Sequence, residues 1–354
     1  MKKLLFLFLL IFVGVSIASC QDKEKAKKYR LIFVNDDWKT NPEKYLENKQ
    51  YVEVLYFETD SIPNWLDKYE NLETIGRFET RKINYIPSSI SNLKKLKRLV
   101  LAEAKLDSLP KFIGNITSLE KISIHDNNLQ NLPNTIGNLS HLDSLFVSDN
   151  KINKLPESFG NLKKLVHLDI SNNKLSSLPK SFNELESLKY FEISNNQLIS
   201  LPNDIGRLKK MKFLRINDNL ISKLPESFYG LENLETFLIH NNQLKSISPS
   251  IKKLKKLEEL SLTNNQLQEI PNEISEMDNL KYLLLGDNNI SSLPNSLSQL
   301  KLKIVEIDNN QFTEFPEVLL KIPTLTKISI KGNKIKNPEK YEKLLTERGI
   351  EYIY

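Results

Sequence analysis

The stretch Leu162–Glu184, LKKLVHLDISNNKLSSLPKSFNE, runs directly into Leu185–Arg207, LESLKYFEISNNQLISLPNDIGR, and the apolar residues of the two stretches fall at the same places. The shared pattern is L-x-x-L-x-x-L-x-I-x-x-N-x-L-x-x-L-P. Its asparagine returns every 23 residues over most of the chain, except for one step of 22 residues from Asn288 to Asn310. A strict period of this length is the signature of stacked repeats that form a solenoid.

Each repeat predicts a strand, a turn and a return path. In Leu168-Asp169-Ile170 the apolar side chains alternate, which is the period of a strand with one buried face. An asparagine amide offers both a donor and an acceptor, so it can satisfy the backbone groups of the turn that follows. The Leu-Pro pair favours an extended start to the return path. We therefore predict a buried structural ladder of Asn127, Asn150, Asn173, Asn196, Asn219, Asn242, Asn265, Asn288, Asn310 and Asn333.

The repeated motif resembles the bacterial leucine-rich repeat family in its 23-residue "LP" form, over roughly residues 51–336. The resemblance implies an α/β repeat solenoid, a horseshoe with a parallel β-sheet on its concave face and an irregular or short helical convex side. The physical argument agrees, because a unit with no opposite wall can bury its apolar positions only against its neighbours.

The first residues predict export. Residues 1–19 read as a signal peptide, with the basic Lys2-Lys3 before the apolar run Leu4–Val15, which is too short to favour a membrane span. The run ends in Ile17-Ala18-Ser19-Cys20, which resembles a bacterial lipobox. That resemblance implies cleavage before Cys20 and its lipidation. An ordinary signal peptide with a chance cysteine is the alternative.

Residues 20–28 are predicted to be the lipidated cysteine and a charged tether. Several acyl chains on one residue anchor a protein stably. We expect an exported, membrane-anchored lipoprotein of the outer membrane. The opening Gln21-Asp22-Lys23-Glu24 is similar to acidic tags that route some lipoproteins to the cell surface, and a periplasmic location stays equally open.

Two flanks are predicted to cap the solenoid, residues 29–50 and 337–354. The letters NPEKY occur in both, and predict a helix with asparagine as N-cap and proline at its first position. The second helix should run to about Arg348, end at Gly349, and precede a strand over residues 350–354. In the first repeats Arg81 and Ala104 stand where the asparagine belongs, and we expect looser geometry there.

Composition excludes several functions. The formal charge is +6, and removal of Lys2 and Lys3 leaves a mild, dispersed charge that does not indicate nucleic acid binding. Cys20 is the single cysteine, so no intrachain disulfide forms, and the four histidines lie in different repeats without ligand spacing. No metal or other cofactor is predicted.

Residues six and four places before each asparagine should point out of the concave face. They include large apolar and aromatic side chains with charges between them, which is the composition of a protein-binding surface. The predicted binding residues are Phe146, His167, Asp169, Tyr190, Glu192, Phe213, Arg215, Leu238, Tyr282 and Leu284. Aromatic residues that only stiffen the sheet are the alternative.

The leading hypothesis is thus a lipid-anchored protein that binds another protein through its concave sheet. The alternatives are a structural spacer of the cell envelope or a self-associating surface protein, and a polysaccharide-binding module. The oligomeric state and the identity of the partner are left open.

Paired lysines at one phase of the repeat, such as Lys94-Lys95 and Lys163-Lys164, favour a solvated edge, with an acidic glycan or a lipid headgroup as the alternative. Catalysis is not expected. Ser148, His167 and Asp169 could lie on neighbouring strands, but the sequence offers no nucleophile elbow and no oxyanion donor.

Overall fold

The strands of the protein form one parallel sheet in which each strand pairs with the next one in sequence. The structure is a computed structural model that describes residues 31–46, 49–77, 82–83 and 85–354. The strands are β1 (Leu31–Val34), β2 (Val54–Phe57), β3 (Thr74–Arg77), β4 (Arg98–Val100), β5 (Lys121–Ser123), β6 (Ser144–Phe146), β7 (His167–Asp169), β8 (Tyr190–Glu192), β9 (Phe213–Arg215), β10 (Thr236–Leu238), β11 (Glu259–Ser261), β12 (Tyr282–Leu284), β13 (Ile304–Glu306), β14 (Lys327–Ser329) and β15 (Glu351–Ile353). This sheet confirms the predicted repeat solenoid.

The side of the solenoid opposite the sheet consists of short 3₁₀-helices. They span Asp36–Lys39, Lys49–Tyr51, Leu66–Lys68, Ser88–Asn92, Lys111–Asn115, Asn134–Asn138, Glu157–Asn161, Lys180–Glu184, Ile205–Arg207, Glu226–Gly230, Pro249–Lys253, Asn272–Glu276, Asn295–Gln299 and Glu317–Lys321. Most of them begin directly after the proline of the repeat. Pro179, for example, has φ −64° and ψ 155°, an extended conformation that turns the chain into the helix.

The core runs the length of the solenoid between the sheet and the 3₁₀-helices. In one repeat Leu168, Ile170, Leu175 and Phe182 are fully or almost fully buried. The parallel register stacks each of them on its counterpart in the next repeat, as Leu168 on Phe191. Every repeat thus buries its apolar face against its two neighbours, as the repeat pattern predicts.

The single 22-residue step leaves the sheet intact because the missing residue falls outside the strand. Two lysines separate Leu162 from Leu165, whereas only Lys301 separates the corresponding Leu300 from Leu302. Leu300 takes ψ 157°, while Leu162 has ψ 61°. The more extended backbone spans the gap, and β13 keeps its register with β12.

Two α-helices lie near the ends of the described chain, α1 (Glu43–Leu46) and α2 (Glu339–Glu347). The prediction that asparagine caps both helices is wrong for the second one. Asn337 has φ 52°, and the N-cap position of α2 is Pro338. Gly349, at φ 69°, ends α2 as predicted, and β15 follows. In the part of the chain that the structure describes, no helix has the length and apolar character needed to cross a membrane.

Ala104 occupies the ladder position of an early repeat and is fully buried. Its carbonyl accepts a hydrogen bond of 2.9 Å from the backbone N–H of Ile83. Arg81, the signal peptide, Cys20 and the tether lie outside the described residues.

Candidate functional site: the open face of the sheet

The asparagine ladder positions the strands on which the candidate site lies. The side chain of Asn196 accepts a hydrogen bond from the backbone N–H of Leu175 at 2.9 Å and donates to the carbonyls of Ile170, Ser194 and Ile193 at 3.1, 3.2 and 3.3 Å. Of these, the bonds to Leu175 and Ile170 link adjacent repeats. Equivalent bonds occur from Asn127 to Asn310, and Asn333 keeps three of them while it is only partly buried.

The residue before each ladder asparagine was not identified from the sequence as structurally important. Its backbone is left-handed, with φ between 49° and 56° at Asp126, Asp149, Asn172, Asn195, Asp218, Asn241, Asn264, Asp287 and Asn309. Aspartate and asparagine tolerate this region better than other residues with a side chain. Some of these side chains also bond to each other, as Asn264 Nδ2 to Asn241 Oδ1 at 2.8 Å. The signal was present as an Asp or Asn before almost every ladder position.

The sheet side away from the core, here called the open face, carries the predicted binding residues. All ten have side chains that are partly or largely accessible. The register places His167, Tyr190 and Phe213 in one row across β7, β8 and β9, and Asp169, Glu192 and Arg215 in a second row. Phe146 on β6 and Leu238 on β10 extend the second row. These eight residues therefore form one surface on five adjacent strands, the central patch.

Aromatic contacts order the first row of the central patch. The His167 ring lies flat on the Tyr190 ring, with centroids 4.7 Å apart and planes 3° from parallel. Burial is the main cause that lowers the pKa of the His167 imidazole, so the neutral form is favoured. Tyr190 is 40% exposed, which is unusual for a large aromatic side chain in this structure.

A cation links the two rows. The Arg215 guanidinium carbon lies 5.2 Å from the centroid of the Phe213 ring, and Nη1 donates to Glu192 Oε2 at 2.7 Å. Burial raises the pKa of the Glu192 carboxyl in spite of the arginine beside it. The patch therefore holds an aromatic row beside a charge pair that is partly removed from water.

Phe146 lies at the edge of the central patch, and Tyr282 and Leu284 lie outside it. The ammonium of Lys121 lies 5.0 Å from the Phe146 ring centroid, and burial lowers the pKa of this lysine. Tyr282 and Leu284 are on β12, and β11 with Glu259 and Ser261 separates them from the central patch. The structure thus brings eight of the ten predicted residues together and leaves two on a separate strand.

An exposed apolar pair in the segments that follow β8 and β9 was not predicted. Ile199 is 63% exposed and Leu220 is 45% exposed. They lie on adjacent turns, because the N–H of Leu220 donates to the carbonyl of Leu198 at 2.9 Å. The same positions in neighbouring repeats carry Ser176 and Gln243. The departure from a polar pattern was the signal in the sequence.

The described residues show no catalytic arrangement of Ser148, His167 and Asp169. His167 stacks on Tyr190, and Asp169 accepts from the backbone N–H of Ser171 at 2.9 Å. Across the same described ranges, no group of three or more His, Cys, Asp and Glu side chains is placed to hold a metal ion.

Family models match the repeats. A model described as "Leucine-rich repeat region" matches residues 122–189 and 177–280, and one described as "Leucine rich repeat" matches residues 255–312. Together they cover more than half of the 354 residues. The chain belongs to the leucine-rich repeat family. No curated protein matches it.

Solved structures share the fold. The chain is 27% identical to a leucine-rich repeat protein of Leptospira interrogans, with a TM-score of 0.52. The match covers 88% of this chain and 98% of that chain. An internalin from Listeria monocytogenes is 21% identical, with a TM-score of 0.76 and coverage of 87% and 88%. The PEPR1–AtPEP1 structure is 26% identical, with a TM-score of 0.73, and the match covers 88% of this chain but only 46% of that chain. Proteins of this family are typically non-enzymatic binding scaffolds.

Proposed function

We propose that this protein is a lipid-anchored binding protein that holds a protein partner on the central patch of its open face. The leucine-rich repeat fold is that of a protein-interaction module. Repeat solenoids present extended surfaces of the kind a protein partner needs. In this role the chain acts by binding and is not an enzyme.

The observation that carries the proposal is the composition of the central patch. A sheet face that only meets water does not require the partly exposed aromatic rings of Tyr190 and Phe213. Binding energy in protein interfaces concentrates in a few aromatic and arginine anchors near the centre. Tyr190, Phe213 and Arg215 meet that description on adjacent strands. The PEPR1–AtPEP1 structure, which is similar to this chain, supports a protein partner.

The test begins with capture of candidate partners by the purified protein and continues with affinities for each candidate. Tyr190→Ala and Phe213→Ala should each weaken a genuine partner by roughly 1–3 kcal/mol. Tyr354→Ala is the matched control, because this tyrosine is 48% exposed but lies outside the patch. Lys180→Ala, on the 3₁₀-helical side, should also bind normally. Full affinity of both patch variants, with loss in Lys180→Ala, would show that the opposite side binds.

We further propose that Cys20 is the lipid attachment site and that the protein is exported to the outer membrane, on either of its faces. The support is the sequence around Cys20, since a lipobox cysteine supplies the thiol that is acylated. In Cys20→Ala, labelling with a fatty-acid analogue should disappear, and the protein should leave the membrane fraction or accumulate uncleaved. Labelling that persists in this variant would contradict the anchor.

A further inference from the structure

A cleft of about 450 Å³ lies on the flank of the solenoid, where the chain leads into β3, β4 and β5. It is lined by Glu73, Lys94, Lys95, Lys97, Thr117, Ser118, Glu120 and His141. Lys94, Lys95, Thr117 and His141 are all exposed to solvent. The cleft thus combines three lysines and an imidazole with hydroxyl groups and two carboxylates.

The lysines in this cleft differ from the other lysine pairs of the same repeat phase. Lys163 lies 2.9 Å from Glu184, Lys209 lies 3.0 Å from Glu232, and Lys255 lies 3.8 Å from Glu276. Each of these three pairs therefore has a carboxylate from the next repeat within 4.0 Å.

Lys94 and Lys95 lack such a carboxylate. The other pairs have Glu184, Glu232 or Glu276 in the next repeat, and at the two corresponding positions this pair has Asn115 and Thr117. Lys95 donates to the neutral side-chain oxygen of Asn71 at 2.6 Å, and Lys94 forms no ion pair with the described residues. Two positive charges at this site are therefore not neutralised across the repeat boundary.

The nearby polar groups leave donors for a ligand. Lys97 is paired with Glu73 at 3.0 Å, which neutralises both. His141 Nδ1 lies 3.1 Å from the carbonyl oxygen of Thr117, and because a carbonyl can only accept, Nδ1 carries the proton. The hydroxyl of Ser118 already donates to the carbonyl of Leu96 at 2.7 Å. Spare donors remain on Lys94, Lys95 and the Thr117 hydroxyl.

We infer that this flank cleft, through Lys94, Lys95 and Thr117, binds an anionic phosphoryl group. Lysine is a common phosphate ligand that acts as a point charge, and the adjacent hydroxyl supplies a neutral donor. The cleft is larger than a phosphate, so the group can belong to a free phosphate compound or to a lipid headgroup. The Glu120 carboxylate in the lining opposes the anion and limits its affinity.

The first experiment measures thermal stability of the purified full chain in inorganic phosphate against chloride at matched ionic strength. A ligand that binds only the folded state raises the melting temperature as its concentration rises. Lys94→Gln combined with Lys95→Gln should weaken phosphate about tenfold or more, because a hydrogen bond to a charged group contributes about that factor. Glu120→Gln should strengthen it.

The matched control is Lys163→Gln combined with Lys164→Gln, which removes the same net charge from a pair in which Lys163 is already ion-paired with Glu184. This control should bind phosphate like the parent. An equal loss in both double variants would show that only net charge matters and would overturn the proposal. Absence of any phosphate effect in the parent would overturn it as well.

A second arm identifies the source of the phosphoryl group. Flotation with vesicles of phosphatidylcholine is compared with flotation with vesicles that also contain phosphatidylglycerol, for the parent and both double variants. Anionic-vesicle binding that depends on Lys94 and Lys95 assigns a lipid headgroup. Phosphate binding that depends on these lysines, without such vesicle binding, assigns a soluble phosphoryl compound.

Discussion

Asn196 offers a direct test of how the ladder stabilises the solenoid. In Asn196→Ala the backbone N–H of Leu175 loses its partner, which lies 2.9 Å away in the parent. The carbonyls lose less. Ile170 O keeps a bond from Asn173 Nδ2 at 3.1 Å, and Ile193 O keeps one from Asn219 Nδ2 at 3.1 Å. Because one buried donor is orphaned, the expected cost is about 1–3 kcal/mol rather than the sum over four bonds.

Asn196→Asp separates the donor and acceptor roles. A carboxylate can still accept from Leu175, but its second oxygen faces the carbonyls of Ile170, Ser194 and Ile193 at 3.1–3.3 Å. Repulsion raises the pKa of the new carboxyl in the folded state, so the penalty grows as the pH rises above about 4, where the unfolded chain ionises. This variant should melt below Asn196→Ala at neutral pH and recover in acid.

The assay is urea unfolding followed by circular dichroism, with hydrogen exchange at the Leu175 amide as a local readout. The local readout is needed because a repeat array can open in parts rather than in one transition. Gln197→Ala is the control, since Gln197 is the exposed next residue. If Asn196→Ala unfolds like this control and the Leu175 amide stays protected, the ladder does not carry the stability assigned to it.

Three further predictions concern packing and charge. Leu175→Ala should cost about 2–5 kcal/mol in unfolding free energy by leaving a cavity, and a cost below 1 kcal/mol would contradict the stacked core. Gly160→Ala should cost about 1–3 kcal/mol in the same assay, because a Cβ there would lie 2.3 Å from the Ser181 carbonyl oxygen, whereas Gly230→Ala, with its nearest atom at 3.5 Å, should be tolerated. Arg215→Ala should cost less than about 1 kcal/mol at neutral pH, since the side chains of the pair are 41% and 37% exposed. In the parent, burial raises the pKa of Glu192, which the arginine lowers. Protonation of Glu192 in acid removes the ion pair from the parent as well, so thermal unfolding of the variant should approach that of the parent as the pH falls. A constant difference would contradict this account.

Most of the fold was predictable because the repeat imposes one decision many times. The alternation in Leu168-Asp169-Ile170 fixed which side chains face the core, and a period of 23 residues then carried that assignment along the chain. The left-handed conformation of Asn195 does not follow from the period of the apolar residues, although an Asp or Asn recurs at its position. The position of the 22-residue step was also readable from Lys301.

The contacts within the central patch were less predictable. Counting back from the ladder placed Glu192 beside both Asp169 and Arg215, but did not say which neighbour each charge would meet. The flat stack of His167 on Tyr190 depends on side-chain rotamers that no periodicity encodes. The exposed Ile199 is not predicted by the repeat either, because it departs from the repeat pattern instead of following it.

The two surfaces proposed here depend on the ladder in different ways. The central patch needs neighbouring strands in exact register, because the bond from Arg215 to Glu192 joins β9 to β8 at 2.7 Å. The flank cleft depends instead on what one repeat omits, since Thr117 follows Lys94 and Lys95 at a position where an acid follows the other lysine pairs. A local loosening of the ladder at Asn196 should therefore weaken a partner on the central patch and leave phosphate binding near Lys94 unchanged, because contacts in a solenoid reach only adjacent repeats.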